Sequence, residues 1–130
     1  MQEVFEFLKN HSPYYIATID GDQARVRAFG TIDLFEDKLY IQTGKNKDCY
    51  KQMVANPKVE LCAFADGEWV RVAGTLVPDE RLEPQQHMLD THPNLKNRYA
   101  AGDGNCIVLY LKDVTATFSG FTHPDRVVKF

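Results

Sequence analysis

Apolar and polar positions alternate along most of the chain with a period of two, the pattern of strands that bury one face. In YYIATID (14–20) the alternation runs into Asp20-Gly21, a hairpin signal. ARVRAFGTIDLF (24–35) predicts a long second strand with a bulge or bend at Gly30, and Glu36-Asp37 turns the chain into KLYIQT (38–43). KVELCAFA (58–65) and EWVRVAGTLV (68–77) predict two strands joined at Asp66-Gly67, the second ended by Pro78. CIVLYLKD (106–113) and TATFSGF (115–121) predict a sixth and a seventh strand, with GDGN (102–105) as the loop before them. Helical spacing replaces alternation elsewhere. EVFEFLKN (3–10) sets Val4, Phe5 and Leu8 on one face, a short helix is expected over 46–55, and 79–101 predicts two short helices broken at His92-Pro93. Asn56-Pro57 stops the middle helix, because proline disfavours a helical residue before it.

Strands joined by hairpins with helices at the ends predict a mainly β fold, a β-barrel with peripheral helices or an α+β domain. The first three strands are linked by turns too short for crossover helices, which argues against a parallel βαβ arrangement. Six or seven strands bury their edges most economically by closing into a small antiparallel barrel. A chain of 130 residues is expected to form one domain over 1–130.

Charge narrows the function. Lys and Arg number 15 against 18 Asp and Glu, a formal net charge of −3, which argues against a general nucleic-acid binder. No stretch has the apolar length of a spanning helix, and MQEVFEFLKNHSPYY has acids where a signal peptide needs a basic start. The three cysteines, Cys49, Cys62 and Cys106, show no paired spacing, so a disulfide framework is not expected and a reducing cytoplasm is. Cys62 reads as a small buried hydrophobe. His87 and His92 are off the spacing of a helical metal pair, and no metal site is expected. Nucleophile-elbow, P-loop and Rossmann glycine patterns are absent.

Against that acidic background, TGKNKDCYK (43–51) gathers three lysines at a helix start. Helix N-termini present unpaired N–H groups and partial positive charge, and phosphate binds there readily. Arg25 and Arg27 share a face of their strand. If the strands flanking Asp37 pair, Arg27 sits beside Gln42 and Thr43. A guanidinium, a threonine hydroxyl, flexible Gly44, Lys45, Lys47 and the helix start would then converge on one small anion. Charge-assisted hydrogen bonds contribute about 1.5–3 kcal/mol each. Three of them, with a buried ring, reach the roughly −8 kcal/mol of micromolar binding, which suits a mononucleotide better than a polyanion. Trp69 and Arg71 share a strand face and are read either as packing or as a platform and charge for a planar ring.

The ordered set Arg27, Thr43, Lys45/Lys47, Asn56-Pro57, VELCAF and GEWVRVAGTLV resembles the pyridoxamine 5′-phosphate oxidase-like, FMN-binding split-barrel family, from about Tyr15 to Val77 and more loosely through YLKDVTATFSGF. The resemblance implies a cytoplasmic flavoprotein, a homodimer of split barrels with FMN in clefts at the subunit interface. It implies that Arg27 meets the flavin phosphate and that the run from Ala28 through Phe29 and Gly30 to Ile32 lies along the ring. Gln42, Thr43, Lys45 and Lys47 would complete the ring-edge and phosphate contacts, with Trp69 near the flavin of the second subunit and Arg71 beside it. Where the oxidase proper carries Ser-Arg-Lys at the helix start, this chain reads Lys47-Asp48-Cys49, and it ends at HPDRVVKF without the segment that holds pyridoxine phosphate. The expectation is an FMN-dependent oxidoreductase acting on a small substrate, not pyridoxamine-phosphate oxidation. A flavin or haem carrier or sensor, a deazaflavin protein and a barrel without cofactor remain alternatives.

Overall fold

The computed structural model describes residues 1–130. Strands β1 (Tyr14–Asp20), β2 (Gln23–Phe29), β3 (Asp33–Phe35), β4 (Lys38–Gly44), β5 (Lys58–Ala65), β6 (Glu68–Asp79), β7 (Cys106–Gly120) and β8 (Arg126–Lys129) form one 8-stranded sheet. Its order is β2-β1-β5-β6-β7-β4-β3, with β8 on the side of β7, and every pairing is antiparallel. Helices α1 (Gln2–Asn10), α2 (Asp48–Ala55) and α3 (Leu82–Thr91) and a 3₁₀ turn (Pro93–Asn97) lie around it.

The two ends of this sheet, β2 and β3, are neighbours in sequence, joined by residues 30–32 alone. Four chain steps span at most about 14 Å, so the sheet must curl until its edges nearly meet. They do not pair, and the result is a barrel with a split along the 30–32 linker. Inside, one cluster of 21 buried residues fills the barrel; Val4 and Leu8 of α1, Ile16, Leu61, Val72 and Leu109 all lie within it at 0% exposure. The alternation that marked the strands is what lines this core, as in β1, where Tyr14, Ile16 and Thr18 are buried between more open neighbours.

Several expectations needed correction. Residues 24–35 are not one strand: β2 pairs with β1 and β3 with β4, at opposite ends of the sheet. Arg27 therefore lies opposite Ile16, not beside Gln42 and Thr43. Residues 106–120 are one strand, because Asp113 takes a left-handed φ of 53° at an irregularity opposite Ala73–Thr75 instead of turning the chain. Aspartate tolerates that region better than most residues. β6 runs through Pro78, where β5 no longer flanks it, so the missing N–H costs no ladder bond. Cys62 lies on the outward, part-exposed face of β5; the buried thiols are Cys49 and Cys106.

Candidate functional site

A cavity of about 230 Å³ opens at the split. One wall is the seam itself, Ala28 to Thr31. The floor is the end of β4, Gln42 and Thr43, with Lys47 at its edge. The opposite wall comes from Asn94, Leu95, Arg98 and Tyr99. A second cavity of about 480 Å³ adjoins it, sharing Gly30, Thr31, Asn94 and Leu95 and adding Thr91, His92 and Pro93.

Side chains, rather than a strand ladder, hold the seam. The Tyr14 hydroxyl donates to the Thr31 carbonyl at 2.6 Å from the β1 side. From the β4 side, Thr31 Oγ1 accepts from the Gln42 amide at 3.1 Å and donates to the Gln42 carbonyl at 3.2 Å. Helix α3 adds two imidazole ties. His92 Nε2 accepts from the Ile32 amide at 3.4 Å, which leaves the proton on Nδ1, facing the Met88 carbonyl at 3.2 Å. His87 Nδ1 meets the buried carboxylate of Asp33 at 2.6 Å. Burial of Tyr14 raises its phenol well above the usual range, so it stays a donor.

The lysine-rich loop is fixed from below. Lys45 and Asn46 donate their amides to the carbonyl and side-chain oxygens of Asn105, at 2.8 and 3.1 Å. Asp103 accepts the amides of Ala100, Asn105 and Cys106, bonds that hold its carboxyl below the usual range. GDGN is thus the clamp under TGKNK. Gly44 is packed where they meet: a Cβ there would lie 3.0 Å from the Tyr99 hydroxyl and 3.2 Å from the Asn105 amide nitrogen. Lys47 caps α2 in an extended conformation, with no side-chain hydrogen bond closing the helix start.

Of the residues expected at an anion site, Ala28, Phe29, Gly30, Gln42, Thr43 and Lys47 line the cavity. Arg27, Lys45, Trp69 and Arg71 do not. Arg27 turns toward α2, donating to Thr18 Oγ1 at 2.5 Å and to Gln52 Oε1 at 2.7 Å, both uncharged. Lys45 is bound to Glu80 at 2.8 Å, which raises its pKa. Trp69 packs edge-on against Phe121 and alongside Phe64, and Arg71 stands opposite Cys62 and Thr117 on the sheet's outward face. The sequence reading missed Asn94, Leu95, Arg98 and Tyr99, since nothing local in NLKNRYA says that this segment folds back over the split.

The lining fits a phosphorylated, planar ligand. Lys47 and Arg98, the cations in the cavity, form no salt bridge with any carboxylate. Gly30 belongs to both cavities, and a Cβ there would approach nothing closer than Ser12 Oγ at 3.7 Å. No protein atom demands a glycine there, and its φ lies outside the left-handed region. Gly30 thus presents bare backbone to both cavities.

An antiparallel barrel split at a seam, with a cationic cleft there, defines the class as a split barrel. The model of the pyridoxamine 5′-phosphate oxidase family matches residues 1–112, and the chain belongs to the pyridoxamine 5′-phosphate oxidase-like family. Among solved structures it is similar to a NimC/NimA family protein from Clostridium acetobutylicum, 38% identical over all of this chain and 92% of that one, with a TM-score of 0.96. A pyridoxamine 5′-phosphate oxidase-related, FMN-binding protein from Nostoc punctiforme shares the fold at 15% identity, covering 99% of this chain and 95% of that one, TM-score 0.69. So does a haem-binding protein from Mycobacterium smegmatis, at 12% identity over 95% of this chain and 55% of that one, TM-score 0.72. No curated protein sequence matches the chain.

Proposed function

We propose that this protein is an FMN-binding oxidoreductase acting on a small substrate, with the flavin held in the seam cleft and completed by a second copy of the chain. The observation that carries this reading is the cleft: two cations without carboxylate partners beside the bare backbone of Gly30. A bound flavin supplies hydride transfer through its ring. The protein's own residues bind and orient it. Lys47 and the open start of α2 face the phosphate, Ala28 to Thr31 form the wall beside the ring, and Gln42 and Thr43 lie at the ring edge. Arg27, one residue from that wall and bonded only to neutral oxygens, keeps its charge uncompensated next to the helix that begins at Lys47.

Size supports the second copy. Ligand cavities usually measure about 300–1,000 Å³, and the seam cavity, at about 230 Å³, encloses only part of a mononucleotide. The outward face of β1, β2, β5 and β6 is apolar enough to pack against a twin: Tyr15, Val26 and Phe64 are 51%, 65% and 61% exposed, and Phe121 beyond them is 79% exposed. Trp69 and Arg71 stand on this face and would reach a neighbour's cleft rather than their own. The three free thiols suit a reducing compartment such as the cytoplasm.

The cleft contains no carboxylate or imidazole among its lining residues, which favours a second reading, a flavin carrier or sensor without turnover. One experiment orders the two. The visible spectrum of the purified protein and an FMN titration of the apoprotein test binding, and NADH oxidation by the loaded protein tests turnover. Saturable micromolar FMN binding with NADH oxidation is expected. Binding without oxidation leaves the carrier, and indifference to FMN removes both.

A further inference from the structure

The flavin reading, on which this inference rests, leaves one cavity residue without a role. Arg98 follows the 3₁₀ turn with its backbone pinned: its amide and that of Tyr99 both donate to the Leu95 carbonyl, at 3.0 and 2.8 Å. Tyr99, 9% exposed, is packed with Leu89 and Cys106. From this fixed base Arg98 lines the same cavity as Lys47.

The charges around these two residues are already matched. Lys45 holds Glu80 at 2.8 Å, Lys51 lies 4.0 Å from Asp48, and Lys96 holds Asp90 at 3.0 Å. Asp103, the acid nearest Arg98 in sequence, has both oxygens on backbone amides. The flanking acids are thus engaged elsewhere, and the two cations that line the cavity, Lys47 and Arg98, are left without a carboxylate. Two like charges on one small cavity repel unless an anion lies between them. A phosphate monoester carries about −1.5 to −2 charges at neutral pH, and a guanidinium meets phosphate oxygens through two parallel N–H donors.

We propose that Arg98 is a phosphate-gripping arm acting with Lys47, and that it supplies from the far wall the positive charge missing at the helix start, where Asp48 and Cys49 stand. Asp48 does not oppose it: its side chain is 91% exposed and leans toward Lys51. The ligand class is a small phosphate monoester, with FMN as the source that the seam favours.

The test titrates wild type, Arg98→Ala and Arg98→Lys with FMN and with riboflavin, which lacks the phosphate, following flavin fluorescence. Arg98→Ala is expected to weaken FMN binding roughly ten- to hundredfold, leave riboflavin unchanged and melt at the wild-type temperature without ligand. Arg98→Lys should recover part of the loss. Equal losses for both flavins, no loss for either, or a wild type that holds riboflavin as tightly as FMN overturns the proposal. If wild type binds no FMN, the flavin reading falls and inorganic phosphate decides the arm. Phosphate that raises the melting temperature of wild type but not of Arg98→Ala retains it with another phosphorylated ligand, and phosphate that treats the two alike overturns it.

Discussion

The β5–β6–β7 side of the barrel and the seam opposite it are held together by different means. On the first side, long antiparallel ladders carry the backbone and apolar side chains fill the interior; β6 and β7 pair from Glu68 to Asp79 against Gly120 to Val108. At the seam no ladder closes the gap. Tyr14, Thr31, His92 and the Asp33–His87 pair bridge it with side chains, and the linker they hold is the wall of the cleft. Ladders satisfy backbone groups along the full length of a strand, whereas a seam pinned at a few atoms leaves a surface between the pins that a ligand reaches.

The largest expected contrast comes from one substitution on each side. Leu109→Ala removes a fully buried side chain from the ladder side and should cost about 2–5 kcal/mol, read from urea unfolding, with the flavin affinity of the folded protein nearly unchanged. Lys47→Ala removes an exposed cation from the cleft and should do the reverse, costing about 1.5–3 kcal/mol of FMN binding and leaving the urea midpoint in place. Equal effects of both substitutions on both readouts would erase the distinction.

A smaller effect is set by pH. Asp79, at the end of β6, is held at about 2 against an ordinary 3.8, first by its hydrogen bond with Arg81 and then, against the cost of burial, by the Tyr40 hydroxyl at 2.8 Å. Between those values the unfolded chain binds more protons than the folded one, so stability rises with pH. The carboxylate's contribution, about 2 kcal/mol, is complete above roughly pH 5 and is lost as pH falls through the folded value. Urea midpoints between pH 2 and 6 should therefore climb more steeply for wild type than for Asp79→Asn. Identical slopes would remove this network from the account of the barrel end.

How far the two sides were legible in sequence follows from the same difference. Alternation marked the strands of the ladder side, and Asp66-Gly67 joined β5 to β6, because hairpin partners are close along the chain. The seam joins β2 and β3 to opposite ends of the sheet, and no local pattern states that Thr31 will bond β4 while Arg27 bonds α2. Lysine spacing led to Lys47 and, for the same reason, to Lys45, whose partner Glu80 lies 35 residues away and takes it out of the cleft. Arg98 had no signal at all. Its acids are absent by being engaged elsewhere, which only the folded chain displays.

The smallest expected change separates the two logics within a single residue. Gly30 lacks both of the usual reasons for a glycine, a left-handed φ and a close protein neighbour. Gly44 has the second, since a methyl there would press on Tyr99 and Asn105 and shift the loop that carries Lys47. Gly30→Ala should therefore stabilise the apoprotein by about 0.4–1 kcal/mol, because the unfolded chain loses freedom that the native conformation does not need. A methyl on a residue that lines both cavities should weaken FMN. Gly44→Ala should lower stability and FMN affinity together. A rise in apoprotein melting temperature with a fall in flavin affinity at Gly30, and a fall in both at Gly44, is the pattern of a wall shaped for a ligand. If Gly30→Ala binds FMN as well as wild type does, the bare backbone at the split is not a cradle, and the flavin ring must lie against some other part of the cleft.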